Sequence, residues 1–215
     1  MGNHNGESTA SLKLSQAKTF GGIGSILVLL SIVPYAGFIL GILGLVLVLI
    51  AVKYISDEVK DPKVFRNMLY SVLIGIIGTV IASFTVFGAL FTMGFTIGVI
   101  GGPTQQPFPQ PGGGMDIGAF FTNIILTIIA FFIAIWIIFI ISAIFLRRSF
   151  TAISSYLGAG LFSTAALLYL IGAALTIIMV GFIVILIAWI LTAVAFFTLP
   201  NKLPQQTQPT EGTES

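Results

Sequence analysis

Residues 19–52, TFGGIGSILVLLSIVPYAGFILGILGLVLVLIAV, run for 34 positions without a charged side chain and carry Pro34-Tyr35-Ala36-Gly37 near their middle. A single helix through them would be about 50 Å long, against a bilayer hydrocarbon core of about 30 Å. Proline followed by glycine is strong local punctuation, since proline lacks an N–H and glycine tolerates the turn. The run therefore reads as a hairpin, with a first helix over 16–33 and a second over 37–56.

Working outward, three further uncharged runs follow: 67–115 (49 residues), 117–146 (30) and 149–201 (53). Each exceeds the roughly 20 residues that a spanning helix needs. Only 7% of the 215 residues are charged and 57% are hydrophobic, whereas about a quarter of a soluble domain is charged. No soluble surface can be built from that supply. The fold class is therefore all-α, a polytopic membrane helix bundle.

The run from 149 to 201 is too long for one crossing and also reads as a hairpin. No proline marks its break. The segment GFIVILIA at 181–188 resembles GLVLVLIA at 44–51, and carrying that alignment back without gaps pairs Ile171 with Pro34. This internal repeat places the turn near Gly172, with Gly181 as the alternative. The remaining helices are expected over 62–100, with Asp61 as cap and Pro62 at the first position, and over 117–146. The total is about six, with two of the pairs being tight or re-entrant hairpins.

The nine Lys and Arg test that count, because short cytoplasmic loops collect cations. With six crossings, Lys13, Lys18, Lys53, Lys60, Lys63, Arg66, Arg147, Arg148 and Lys202 all fall on one side. Four crossings would split them three against six. Both termini are accordingly expected in the cytoplasm. A hairpin that enters and leaves by the same face gives the same sorting.

The domain organisation follows: a polar cytoplasmic tail at 1–15, a transmembrane domain at 16–200 with a Pro/Gly/Gln-rich outer loop at 101–116, and a disordered cytoplasmic tail at 201–215. The amino-terminal segment lacks the basic start, short apolar core and small-residue site of a cleaved signal. Gly2 does not make a myristoylation site, because Gly6 stands where Ser or Thr is required. The outer loop, GGPTQQPFPQPGGG at 101–114, reads as an extended spacer.

Within the third helix, Ser71, Gly75, Gly78, Ala82, Thr85, Ala89, Thr92 and Thr96 recur at alternating spacings of four and three. All are small, so they form a narrow helix-packing seam along one face. In lipid such a seam lets backbones approach and hydroxyls bond between helices. It suits packing inside the bundle, a dimer interface or a polar track lining a pore. Gly37-x-x-x-Gly41 and Gly94-x-x-x-Gly98 repeat the theme.

Other features carry less chemistry. Gly21-Gly22-Ile23-Gly24 lacks the Lys-Ser or Lys-Thr of a phosphate loop. With no cysteine, thiolate sites and disulfides are excluded. His4 has no companion ligands, so no metal is expected, and no cofactor is indicated. Lys53, Lys60, Lys63 and Arg66 lie in the one segment where charges converge and suit contacts to anionic lipid headgroups, although an ordinary solvated loop has the same composition. A net charge of +2 offers nothing to nucleic acid.

No Asp, Glu, Lys, Arg or His lies deep in a predicted span, which argues against proton pumps and charged-substrate carriers. No paired carboxylates or nucleophile–base set is apparent, so the chain is not expected to be an enzyme. Two functions remain. One is a non-catalytic membrane protein acting through helix packing with itself or a partner. The other is a channel or carrier for a neutral or lipophilic small solute, lined by Thr85, Thr92, Thr96 and Asn123. The partners expected are the lipid bilayer and a second copy or a membrane protein.

Three segments carry a family resemblance: LKLSQAKTFGGIGSILVLLS at 12–31, VKYISDEVKDPKVFRNMLYSVL at 52–73 and GAALTIIMVGFIVILIAWILTAVAFF at 172–197. With Gln16, Gly21, Gly22, Phe65, Arg66 and Asn67 as anchors, the chain resembles the prokaryotic, largely archaeal, membrane proteins of domain of unknown function 996. The resemblance implies the plasma membrane of a prokaryote. It implies no activity and assigns no site residue.

Overall fold

The computed structural model describes residues 4–101 and 117–200, and among them there is no strand. Six α-helices follow in order: α1 (His4–Leu29), α2 (Gly37–Glu58), α3 (Pro62–Gly101), α4 (Ile117–Leu157), α5 (Gly160–Leu175) and α6 (Val180–Phe197). Short 3₁₀ turns at Leu30–Ile32 and Thr176–Ile178 lie between α1 and α2 and between α5 and α6. All six helices contain a stretch long and apolar enough to cross a membrane.

The first hairpin breaks where proline and glycine dictate. Tyr35 takes a left-handed φ of 66°, and the N–H of Gly37 bonds the carbonyl of Val33 at 2.8 Å. Asp61 caps α3 as expected, its Oδ1 accepting from the Lys63 N–H at 2.9 Å. The second hairpin turns between the two expected positions. Its break is the 3₁₀ turn Thr176–Ile178 followed by Met179 at φ 62°. The ungapped repeat alignment therefore fails by about two helical turns, because strings of Leu, Ile and Val match in many registers.

Two helices are longer than expected. α1 begins at His4, so helix extends through the segment read as a polar tail. α4 runs through Arg147 and Arg148 to Leu157 rather than ending at Leu146. Long cationic side chains reach outward from a helix without interrupting its backbone. What ends α4 is Gly158, at φ +64°. Gly158→Ala should cost about 1 kcal/mol, whereas Gly160→Ala, whose Cβ would meet nothing within 4 Å, should be neutral or slightly stabilising. Thermal unfolding of the two variants in detergent checks the difference.

The chain divides into two compact units, Met1–Val72 with Ile140–Ser215, and Leu73–Phe139. The first unit holds both hairpins and the buried core. Within it α1 meets α2 through Gly24 and Gly44: a Cβ on Gly24 would stand 2.7 Å from the Gly44 carbonyl oxygen. α1 meets α6 where Gly21 lies against the ring of Phe196. Around that contact Leu14, Val52, Ile55, Met68, Phe150 and Phe162 are fully or almost fully buried. Phe150, Phe162 and Phe196 form a chain of edge-to-face pairs, with centroids 5.5 and 4.9 Å apart.

The second unit contains the distal part of α3 and the first part of α4. Its described surface exposes Phe84, Phe87, Leu90, Phe91 and Phe132 together with the hydroxyl residues Thr79, Ser83 and Thr85.

Candidate functional site

The seam on α3 is divided in its environment. In the first unit Ser71 is buried, and the hydroxyl of Ser142 on α4 donates to the Ser71 carbonyl at 2.9 Å. The two hydroxyl oxygens lie 3.2 Å apart. Seven residues earlier on α3, the carbonyl of Val64 accepts from the Ser149 hydroxyl at 2.8 Å. The pairs 64 with 149 and 71 with 142 thus advance by one heptad in opposite directions, as antiparallel helices require. Val64 and Ser149 were not evident in the sequence, where a Ser beside two Arg looks like ordinary interface composition.

In the second unit Gly78 is buried, and a Cβ placed there would lie 2.7 Å from Ile138 Cγ2 on α4. Gly75 and Ala82 are half-buried. Thr85 and Ala89 are exposed, and the Thr85 hydroxyl donates back to the Ile81 carbonyl at 2.9 Å. The side chains of Thr92, Thr96 and Asn123, like residues 102–116 and Lys202, lie outside the described residues. The structure therefore places Ser71 and Gly78 against α4 and leaves Thr85 and Ala89 facing outward.

Two cations of the first unit stand over aromatic rings, beside contacts between helices. Phe20 on α1 stacks on Tyr54 of α2 at 6.2 Å, and Lys53 Nζ stands 5.5 Å from the centre of the Phe65 ring on α3. Asp61 Oδ2 accepts from the Tyr156 hydroxyl at 3.0 Å, tying the α2–α3 turn to the end of α4. The guanidinium of Arg148 lies 5.7 Å from the centre of the Phe145 ring. Of the four headgroup candidates, Lys53 pairs with Asp57 at 2.6 Å, an exposed pair worth at most about 1 kcal/mol. Lys60, Lys63 and Arg66 are exposed to what surrounds the protein.

The buried hydroxyls are committed to backbone. Ser25 donates to Gly21 at 2.8 Å, Thr192 to Ala188 at 2.8 Å and Ser56 to Asp61 at 2.8 Å. No buried side-chain nitrogen or oxygen among the described residues lacks a partner. Nor does any group of three His, Asp or Glu among them come together as a metal would need. These three are satisfied within their own helix or the turn after it, whereas the hydroxyls of Ser142 and Ser149 join helices, as suits an apolar medium.

Fold and site together define a class: an all-α bundle whose described residues form six helices, each with a stretch able to cross a membrane, joined by small residues and hydroxyls. Residues 40–190 match the family described as "Protein of unknown function (DUF996)". The chain belongs to that family. It is 35% identical over 196 residues to the uncharacterized protein MJ1644 of Methanocaldococcus jannaschii, which covers 91% of this chain and 98% of that protein. No solved structure matches the chain.

Proposed function

We propose that this chain is a multi-pass integral protein of a prokaryotic plasma membrane that works without catalysis, through helix packing with itself or with a membrane-protein partner. The observation that carries this reading is the divided seam. Its first part is closed by α4 through Ser71 and Gly78. Its continuation at Thr85 and Ala89 is outward-facing, small and flanked by exposed Phe84, Phe87 and Phe91. In lipid, small residues between large ones let a second helix approach closely, which is where association energy arises.

The archaeal relative and the family description support a prokaryotic membrane. The sorting of all nine Lys and Arg to one side of six helices supports placing both termini and those cations on the cytoplasmic side, with Lys60, Lys63 and Arg66 against anionic headgroups. The channel or carrier reading gains nothing from Thr85, whose hydroxyl proton is given to its own helix.

Ala89→Leu should weaken self-association about tenfold, or about 1.4 kcal/mol, with the folded yield unchanged. Gly78→Leu acts differently, since it strikes Ile138 within the same chain. Stoichiometry in lipid bilayers by single-molecule photobleaching is the measurement. A wild-type chain that stays monomeric there loses the self-association form of the proposal, and the partner form then rests on cross-linking in native membranes.

A further inference from the structure

We infer that the hairpins α1–α2 and α5–α6 enter the bilayer from the cytoplasmic side and end among the acyl chains of the opposite leaflet, so that α3 and α4 alone cross it completely. This rests on the membrane reading above and adds the depth of each element, which sequence parity leaves open.

Depth is reckoned from the aromatic contacts that neighbour cations in the chain. Arg147 and Arg148 precede Ser149 and Phe150; Phe150 touches Phe162, Phe162 touches Phe196, and Phe196 lies on Gly21. Phe20 stacks on Tyr54, beside Lys53. Phe20, Tyr54, Phe162 and Phe196 therefore mark one level, at the cytoplasmic edge of the hydrocarbon. From it, the helical rise to the first turn is about 20 Å along α1 to Ile32 and about 26 Å along α2 to Gly37. To the second turn it is about 26 Å along α5 to Ile178 and about 24 Å along α6 to Val180.

Counted from that level rather than from the ends of the helices, which are long enough to cross, all four fall short of a hydrocarbon core of about 30 Å. By contrast α3 and α4, at 40 and 41 residues, have ample length to cross it.

The tips have the composition this depth requires. Ile177, Ile178, Met179 and Val180 form the second tip, and Met179 is 75% exposed. A turn facing water is normally built from Gly, Asn, Asp, Ser or Pro; from Thr176 to Val180 this one holds none of them, and Gly181 follows as the close contact to α5. Its only hydroxyl, on Thr176, donates to the Ala173 carbonyl at 2.7 Å. The first tip does turn on Pro34 and Gly37, but what it presents is Ile32, Val33 and a fully exposed Tyr35, again without a charge.

The backbone of the turns also suits lipid, which offers no hydrogen-bond partner. At the second tip a single left-handed residue separates a 3₁₀ turn from α6, with Met179 N–H bonded to Thr176 O at 3.0 Å and Phe182 N–H to Met179 O at 3.2 Å. At the first, Val33 N–H bonds Leu30 O at 3.0 Å, Ala36 N–H bonds Pro34 O at 2.8 Å, and Pro34 has no N–H to satisfy.

The absence of cysteine makes the test direct. Single variants Tyr35→Cys, Met179→Cys, Gln106→Cys and Lys63→Cys are treated with a membrane-impermeant maleimide in intact cells and in inside-out vesicles. Gln106→Cys should label from outside and Lys63→Cys from inside. The two tip variants should lose labelling from both sides and regain it in denaturing detergent. A nitroxide on each tip in bilayers should then be broadened by oxygen and spared by a water-soluble nickel chelate.

Outside labelling at either tip overturns the inference, and so does a tip label shielded from both colliders, which would mean protein covers it. Ile32→Cys and Ile178→Cys, in helical backbone beside the tips, repeat the reading if the left-handed positions do not tolerate cysteine. Alkaline carbonate separates the two levels of failure. A chain released from membranes by it loses the membrane reading itself, whereas a retained chain with outside-labelled tips loses the depth assignment alone.

Discussion

Phe162→Ala should lower the stability of the purified protein by about 3 kcal/mol and shift its thermal unfolding in detergent by several degrees. Phe162 is fully buried and is the middle member of the Phe150–Phe162–Phe196 chain. Its removal leaves a hole bordered by both neighbours and loosens the Phe196 ring that seats Gly21. In lipid the transfer part of the loss is reduced, because acyl chains solvate an exposed ring well. The contacts forfeited around the cavity remain. Phe182→Ala, at an exposed position on α6, should shift unfolding by less than about 0.5 kcal/mol. Equal effects of the two would mean that the aromatic chain does not organise the unit.

Gly181→Leu should be more damaging still and should abolish the folded, monodisperse protein. A Cβ on Gly181 would run into the carbonyl of Gly172 and the backbone of Leu175 and Thr176. Overpacking against flexible side chains costs about 1–3 kcal/mol, but here the obstacle is main chain and cannot turn aside. α5 and α6 would have to separate at their turn. Gly41→Ala is the matched control in the other hairpin, since its Cβ would meet only the Ser31 side chain, at 3.1 Å. Size-exclusion profiles and unfolding of both variants decide the point. A well-behaved Gly181→Leu protein would show that the second hairpin packs otherwise.

These sites indicate what the sequence made legible. Six helices, the break at Pro34 and the cap at Asp61 could be read because each follows from a property of single residues: charge excluded from lipid, a missing N–H, a carboxylate beside proline. The second break could not, because Met179 occupies a conformation usually given to glycine and leaves no mark in composition. The true end of α4 was hidden for a related reason. Arg147 and Arg148 resemble a loop, yet the backbone stops only at Gly158. The seam was visible as a spacing, but its division was not. That Ser71 and Gly78 meet a partner depends on Ser142 and Ile138, which lie about 70 and 60 positions away and belong to no pattern of their own.

The paired hydroxyl contacts between α3 and α4 have one more effect. Apolar ridges of Ile, Leu and Phe would let two such long helices slide past each other with little change in energy. The bonds from Ser142 to Ser71 and from Ser149 to Val64 stand two turns apart, and a shift of one turn, about 5.4 Å, would break both at once. They work as a vernier, allowing a single alignment of the two helices where surrounding side chains would accept several.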